Sequence, residues 1–172
     1  MILPYKGVLP EIDETAFIEE SARIIGDVHI GEYSSVWFNS VVRADVHYIR
    51  IGERTNVQDN CTLHVTKDIY PLILGSEITV GHNVVLHGCT IRDRCLIGMG
   101  AILLDNVEVG EDSIVGAGSV VVEGTKVPPG SLLLGTPARI VRELRPEEKE
   151  RIKRSAANYI EYSKNYVDFT GS

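Results

Sequence analysis

Aliphatic residues recur every six positions along most of the chain. They form four runs, which are Ile12, Ile18, Ile24, Ile30, Val36 and Val42; Ile51, Val57 and Leu63; Leu74, Val80 and Leu86; and Ile91, Ile97, Leu103, Val109, Val115, Val121, Val127 and Leu133. Four positions later the residue is mainly small, as at Ala22, Ser34, Ser40, Thr55, Cys61, Cys95, Ala101, Ser113, Ser119, Thr125 and Ser131.

A period of six differs from the turn of a helix and from the simple alternation of one flat strand. It is the period expected of a parallel β-helix. Short strands there turn a corner in every repeat, the aliphatic residue points inward, and a small residue relieves crowding at the corner. The alternative is a sandwich whose strands fall on multiples of six by chance, although an ordinary sheet needs no such regular corners. We therefore predict an all-β fold built as a parallel β-helix.

The repeat is interrupted twice, and we expect function at these interruptions because the interior of such a prism is narrow. Residues 43–50 are predicted to be an irregular segment. Residues 65–76 are predicted to be a small loop that projects from the stack, since they include Asp68, Tyr70 and Pro71.

A C-terminal helix is predicted after the repeats. Pro146 lies near its first position and two acidic residues follow in its first turn. An apolar stripe at helical spacing should pack on the outside of the prism; its members are Ile152, Ala156, Tyr159, Ile160, Ser163 and Val167. We expect a β-helix domain over residues 1–144 and the packing helix over residues 145–172.

Composition excludes several functions. The chain has 172 residues and a formal net charge of −7, and it lacks the clustered basic face that nucleic acid requires. It contains no apolar run of the ~20 residues that a membrane span needs, and its first residues do not resemble a signal peptide. Three cysteines without a CxxC pair suggest buried thiols in a reducing compartment. We expect a cytoplasmic protein without nucleic-acid or membrane partners.

Three histidines are candidate metal ligands. His64 and His87 each follow an inward aliphatic residue by one position, so they share a phase of the repeat, whereas His82 does not. A single chain therefore supplies two ligands easily, and a neighbouring copy could supply the third. Three imidazoles with one open position are typical of catalytic zinc, and iron(II) or cobalt would also fit. His29 and His47 lack matching partners.

The chain resembles the gamma-class carbonic anhydrases and their short bacterial relatives. The resemblance rests on Arg43-Ala-Asp45, Asn56-Val-Gln58-Asp59, His64, Gly81-His82 and His87-Gly88. It implies a left-handed triangular β-helix of hexapeptide repeats, with roughly seven coils in a prism on the order of 30 Å tall. It also implies a homotrimer with metal sites between subunits and carbon dioxide and bicarbonate as substrates.

The resemblance assigns roles to individual residues. His64 and His87 of one chain and His82 of the next would bind the metal, and Gln58 would orient the reacting water with Asn56 in the same polar shell. Arg43, which shares a face with Asp45, would pair with Asp59 across the interface; the alternative is ordinary surface ion pairing of little energetic value. The tyrosine that the family brings to the site from its C-terminal helix would be Tyr159, with Tyr162 and Tyr166 as alternatives.

Two departures from the family bear on activity. Val46 occupies a position where active members carry glutamate, and the short segment 65–76 replaces an acidic loop that holds a proton-relay glutamate. No side chain is assigned as a proton shuttle, so we do not expect fast turnover. The leading hypothesis is a zinc-dependent carbonic anhydrase. The alternatives are a hexapeptide acyltransferase, a thioester hydrolase and a metal-binding scaffold without activity.

Overall fold

The computed structural model describes the backbone of residues 1–170 and the side chains of residues 1–166. Its twenty strands are β1 Ile2–Leu3, β2 Glu11–Ile12, β3 Phe17–Ile18, β4 Arg23–Ile30, β5 Ser35–Val36, β6 Val41–Ile51, β7 Asn56–Val57, β8 Thr62–His64, β9 Leu72–Leu74, β10 Thr79–Val80, β11 Val85–His87, β12 Thr90–Ile91, β13 Leu96–Ile97, β14 Ile102–Leu103, β15 Glu108–Val109, β16 Ile114–Val115, β17 Val120–Val121, β18 Lys126–Val127, β19 Ser131–Gly135 and β20 Ala138–Glu143. One helix follows, α1 Pro146–Thr170.

The strands stack in parallel on three faces of a β-helix. Face A contains β1, the first halves of β4 and β6, and then β8, β11, β14 and β17. Face B contains β2, the second halves of β4 and β6, and then β9, β12, β15 and β18. Face C contains β3, β5, β7, β10, β13, β16 and β19, and β20 closes it by antiparallel pairing with β19. The predicted parallel β-helix and its seven coils are confirmed.

The aliphatic residues of the repeat fill the interior. Consecutive coils place one such residue above another, as with Leu63, Leu86 and Leu103 on face A, and all three are fully buried. Burial of each side chain of this size contributes about 1.5–3 kcal/mol, so the core repeat is the main source of stability.

The small residues at the corners also bond one coil to the next. Ser34 Oγ donates to the carbonyl oxygen of Gly52 at 2.7 Å, and Ser40 Oγ donates to that of Gln58 at 2.6 Å. The Cys61 thiol lies in an equivalent corner, with Sγ 3.1 Å from the carbonyl oxygen of Gly81. The three cysteines are free and buried, as predicted, and desolvation raises the pKa of Cys61 to about 11 and those of Cys89 and Cys95 to about 12.

Both predicted interruptions are smaller in the structure. Residues 43–50 belong to the eleven-residue strand β6, which crosses from face A to face B. It pairs with β4 at both ends and bulges over residues 45–48, so the expectation of an irregular segment was wrong except at the bulge. Residues 65–76 do not all project, because Leu72 and Leu74 are buried in β9 and only residues 66–71 leave the stack.

Helix α1 packs on the outside of face C, as its stripe predicted. Ile152 is fully buried in a cluster with Ile114 and Leu144, and Ser155 Oγ accepts a hydrogen bond from Thr79 Oγ1 at 3.1 Å. The Val167 side chain lies outside the described residues. Among the described residues, no helix is long and apolar enough to cross a membrane.

Candidate metal centre

His64 and His87 lie side by side on consecutive coils of face A. β8 and β11 pair in register, with His87 directly opposite His64. The Nδ1 atom of His64 is 3.1 Å from the Nε2 atom of His87. The shared phase of these histidines in the repeat therefore places them together, as the sequence predicted.

An aspartate holds the outer nitrogen of each ring. His64 Nε2 donates to Asp45 Oδ1 at 3.0 Å, and His87 Nδ1 donates to Asp105 Oδ1 at 2.6 Å. Because a neutral imidazole carries one proton, these bonds leave His64 Nδ1 and His87 Nε2 as facing acceptors. Two lone pairs so close repel each other unless a cation lies between or beside them.

This arrangement fits a metal ion. Two nitrogen ligands of tetrahedral zinc, each at ~2.05 Å, lie about 3.3 Å apart, close to the separation of the facing nitrogens. Metal-binding histidines almost always donate their other N–H to a carboxylate or carbonyl, as both rings do here. The described residues contain no group of three His, Cys, Asp or Glu side chains that could hold a metal within one chain. The described part of one chain brings together two of the three histidines, His64 and His87, and the full ligand set stays a prediction.

Asp45 is held as an anion beside His64. Arg43 Nη1 donates to its Oδ2 atom. Burial alone would raise the pKa of Asp45, but the hydrogen bonds from His64 and Arg43 and the Arg43 charge outweigh it, so the pKa falls below its ordinary value of 3.8. The predicted shared face of Arg43 and Asp45 is thus a direct contact.

His82 lies at the edge of face C, away from the other two histidines. It follows β10 by two residues, and its Nδ1 atom is 2.8 Å from Asp59 Oδ2. A pocket of about 330 Å³ opens beside this pair, lined by Trp37, Phe38, Asp59, His82, Tyr159, Tyr162, Asn165 and Tyr166. All three histidines therefore have an aspartate on one ring nitrogen, which is typical of metal ligands.

The remaining predicted site residues lie near His82. Gln58 Nε2 donates to Asn56 Oδ1 at 3.1 Å, and Asn56 Nδ2 donates to Thr79 Oγ1 at 3.1 Å. Gln58 lines a groove with His82 and Tyr159 between face C and α1. Within one chain Arg43 contacts Asp45 and Asp59 contacts His82, so a pair between Arg43 and Asp59 stays a prediction about the interface.

Tyr159 is the tyrosine best placed among the three candidates. Its ring packs edge-on against Trp37 with centroids 5.3 Å apart. Burial, the Asp59 charge and Tyr162 raise the pKa of Tyr159 to about 12, so its hydroxyl stays protonated at neutral pH. Tyr162 and Tyr166 are 48% and 44% exposed at the rim of the same pocket.

Sequence reasoning missed Asp105 and Thr66. Asp105 follows His87 by 18 residues, which is one coil of the predicted solenoid, so the period offered a signal for this contact. Thr66 Oγ1 donates to Asp105 Oδ2 at 2.6 Å. No comparable signal existed for Thr66, because it lies in the projecting loop where the repeat stops.

Comparison with known proteins identifies the family. A family model described as bacterial transferase hexapeptide (six repeats) matches residues 88–122. A carbonic anhydrase of Geobacillus kaustophilus is 48% identical and the match covers 96% of this chain and 91% of that protein. The mitochondrial gamma carbonic anhydrase 1 of Arabidopsis thaliana is 46% identical over 87% of this chain, and the chain spans only 56% of the plant protein's length.

A solved structure agrees with this fold. A Bacillus cereus protein, provisionally named an acetyltransferase, superimposes with a TM-score of 0.95 at 48% identity over 98% of both chains. The relatives therefore carry two different functional names on one fold, so fold likeness alone does not decide the reaction. The identity and coverage shared with the carbonic anhydrases show that this chain belongs to the gamma carbonic anhydrase family of hexapeptide-repeat proteins.

Proposed function

We propose that this protein is a metal-dependent gamma-type carbonic anhydrase that interconverts carbon dioxide and water with bicarbonate and a proton. The observation that carries the proposal is the pair of facing nitrogens on His64 and His87, each ring held by an aspartate. Relatives named carbonic anhydrase support the choice of reaction. The free, buried cysteines support a reducing, cytoplasmic location as part of the proposal.

The proposal includes a homotrimer, and exposed apolar residues above His87 and above His82 support it. On face A the residues in line above His87 are Leu104 and Val122, which are 37% and 42% exposed. At the edge of face C the residue in line above His82 is Met99, which is 58% exposed. Burial of face A of one copy against this edge of the next would cover these three apolar residues and bring the histidines together. Closed symmetry favours a ring.

Each subunit interface would then hold one metal ion between His64 and His87 of one copy and His82 of the next. Zinc is the proposed ion, with iron(II) or cobalt(II) as alternatives. When bound, such an ion supplies the Lewis acidity that makes water a nucleophile near neutral pH.

The chain's own residues would orient the reactants. The hydrogen bond to Asn56 fixes the amide of Gln58 beside His82, and we assign the Gln58 carbonyl oxygen the role of accepting a hydrogen bond from the reacting water. Tyr159, whose hydroxyl stays protonated, would serve as a donor at the same pocket. Arg43 would pair with Asp59 of the neighbouring copy through a planar fork on a carboxylate, which fixes the register of the subunits.

The proton released in hydration would leave to solvent buffer. Val46 packs partly against the core beside Asp45, where a titratable side chain could otherwise relay protons. The loop of residues 66–71 is short, and the backbone N–H of Asp68 donates a hydrogen bond to the carbonyl oxygen of Val46 at 3.2 Å. We therefore propose a carbonic anhydrase whose turnover depends on external buffer.

An acyltransferase is the second candidate, because the Bacillus cereus relative is named as one. Such an enzyme needs one histidine as a general base and does not need three histidines to bind a metal. Replacing any one of the three histidines would then leave the metal content of the protein unchanged. The thioester hydrolase and the inactive scaffold share the metal site and differ only in activity.

The deciding experiment combines metal analysis with stopped-flow carbon dioxide hydration. It compares wild type, His87→Ala and His29→Ala, the last being a histidine of face B outside the site. We expect about one metal per chain and hydration in wild type and His29→Ala, and loss of both in His87→Ala. A metal-replete trimer without hydration above buffer would leave the scaffold or the thioester hydrolase. Metal-independent transfer of the acetyl group from acetyl coenzyme A to an amine or hydroxyl acceptor, with release of the coenzyme A thiol, would establish the acyltransferase.

A further inference from the structure

We propose that Asp105 and Thr66 are positioning residues that fix the ring of His87 for metal binding. This inference goes beyond the ligand set and rests on the proposed function for its role in catalysis. Its structural part, the control of the His87 ring by Asp105, stands independently of the metal.

Asp105 reaches His87 from the coil above. Leu103 lies over Leu86, so Leu104 follows in line with His87 and Asp105 in line with Gly88. A Cβ atom on residue 88 would collide with Asp105 Oδ1 and would lie 2.8 Å from the Cβ atom of Tyr70. The absence of a side chain at Gly88 is therefore what lets the Asp105 carboxylate approach the Nδ1 atom of His87.

Asp93 occupies an equivalent corner of the β-helix to Asp105, but the residues beneath it are not histidines. Asp93 follows its inward residue Ile91 by two positions, as Asp105 follows Leu103, and its carboxylate also lies against a glycine, Gly75. Asp93 Oδ1 accepts from the backbone N–H of Ser76 at 2.9 Å, a local structural bond. The side-chain hydrogen bonds of Asp105 instead go to His87 and Thr66, so its carboxylate is directed at the site.

Thr66 completes the arrangement from the projecting loop. Its hydroxyl donates to Asp105 Oδ2 at 2.6 Å, while the backbones of Thr66 and Tyr70 are joined by hydrogen bonds of 3.0 and 3.2 Å. The loop is thus closed on itself and holds the Thr66 hydroxyl in place. Because Thr66 binds Oδ2 of Asp105, the carboxylate is held in the orientation in which Oδ1 contacts His87 Nδ1.

This chain of contacts selects one form of the His87 ring. In a neutral ring, a proton on Nδ1 points at Asp105, which leaves Nε2 without a proton and directed at His64. Such outer carboxylates raise the basicity of the ligand and fix its orientation, and their loss typically lowers metal affinity by about 10–100-fold.

The test measures the ring and the metal separately. Nitrogen-15 NMR of the metal-free protein reports which His87 nitrogen carries the proton, and competition with a chelator measures zinc affinity. The variants are Asp105→Ala, Thr66→Val, Thr66→Ser and the matched control Asp93→Ala, with thermal unfolding to show that each is folded.

We expect wild-type His87 to be protonated on Nδ1, and Asp105→Ala to shift the proton toward Nε2 and lower zinc affinity about 10–100-fold. Thr66→Val should give a smaller loss, Thr66→Ser should restore affinity, and Asp93→Ala should change neither readout. A folded Asp105→Ala protein with the wild-type ring form and zinc affinity within about twofold would overturn the inference. A changed ring form in a protein whose wild type binds no metal would support the role of Asp105 and contradict the proposed function.

Discussion

The Nδ1 atom of His64 and the Nε2 atom of His87 face each other at 3.1 Å across consecutive coils of face A. Strand register sets this separation, because both residues belong to paired strands and neither lies in a loop. The backbone pairing of β8 and β11 therefore fixes the spacing of the two rings. His82 lies on another face, so the proposed site of three histidines requires a second copy of the chain.

Gly88 should tolerate alanine less well than a glycine in open space. Gly88→Ala combines a backbone φ of +54° with a collision against Asp105, whereas Gly100→Ala has a φ of +69° and no atom within 4 Å of the new Cβ. In the control, Gly100→Ala, left-handed backbone strain alone should lower the free energy of unfolding by about 1–2 kcal/mol. Gly88→Ala should lower it further and should also bind zinc more weakly. Urea unfolding and chelator competition measure both; equal losses in stability and unchanged zinc affinity would contradict the packing argument.

The exposed apolar residues above His87 should control assembly. Leu104→Asp places a charge in the proposed interface, so we expect dissociation of the trimer to folded monomers and loss of bound metal. Val8→Asp is the matched control, because Val8 is 47% exposed near the other end of the prism. Light scattering coupled to gel filtration gives the mass of each variant. If the Leu104→Asp protein remained trimeric, this result would show that face A does not form the subunit interface.

Stability should fall at alkaline pH because of the buried thiols. The folded pKa of Cys89 is about 12 against an ordinary value of 9.0, so the unfolded chain releases this proton first and stability declines as pH rises above about 9. Between about pH 7 and pH 10, the free energy of unfolding should fall by about 1.4 kcal/mol less in Cys89→Ala than in wild type. Urea titrations at fixed protein concentration measure the difference. Parallel pH profiles would show that the Cys89 thiol ionises while the protein is folded.

Turnover should depend on buffer and respond to position 46. With valine there, the proton must pass to solvent, so the hydration rate should rise with buffer concentration before it saturates. Val46→Glu should raise turnover at low buffer by about tenfold or more, while Val46→Gln, of similar size but unable to titrate, should not. Stopped-flow assays over a buffer series decide this. Equal effects of the two variants would exclude proton relay at this position.

Periodicity predicted the fold because every coil obeys the same packing rule. It also predicted that His64 and His87 would meet, since their common phase becomes a common face. It could not show that residues 43–50 form one bulged strand, because residues 45–48 lie opposite the single residue Asp27 of β4 and the six-residue repeat is lost there. The contact of Thr66 with Asp105 likewise depends on a loop that follows no repeat.

The central claim, a metal site shared between subunits, is tested most directly by mixing two inactive variants. His82→Ala keeps the pair on face A, and a His64→Ala, His87→Ala double variant keeps only His82. Each alone should bind no metal at the site. In a mixed three-membered ring, one interface joins an intact pair to an intact His82, so co-expressed and purified hetero-trimers should recover about one metal ion per trimer and about a third of the wild-type hydration rate. Hetero-trimers that form but bind no metal and show no hydration would contradict the shared site, as would full metal content in the His82→Ala variant alone.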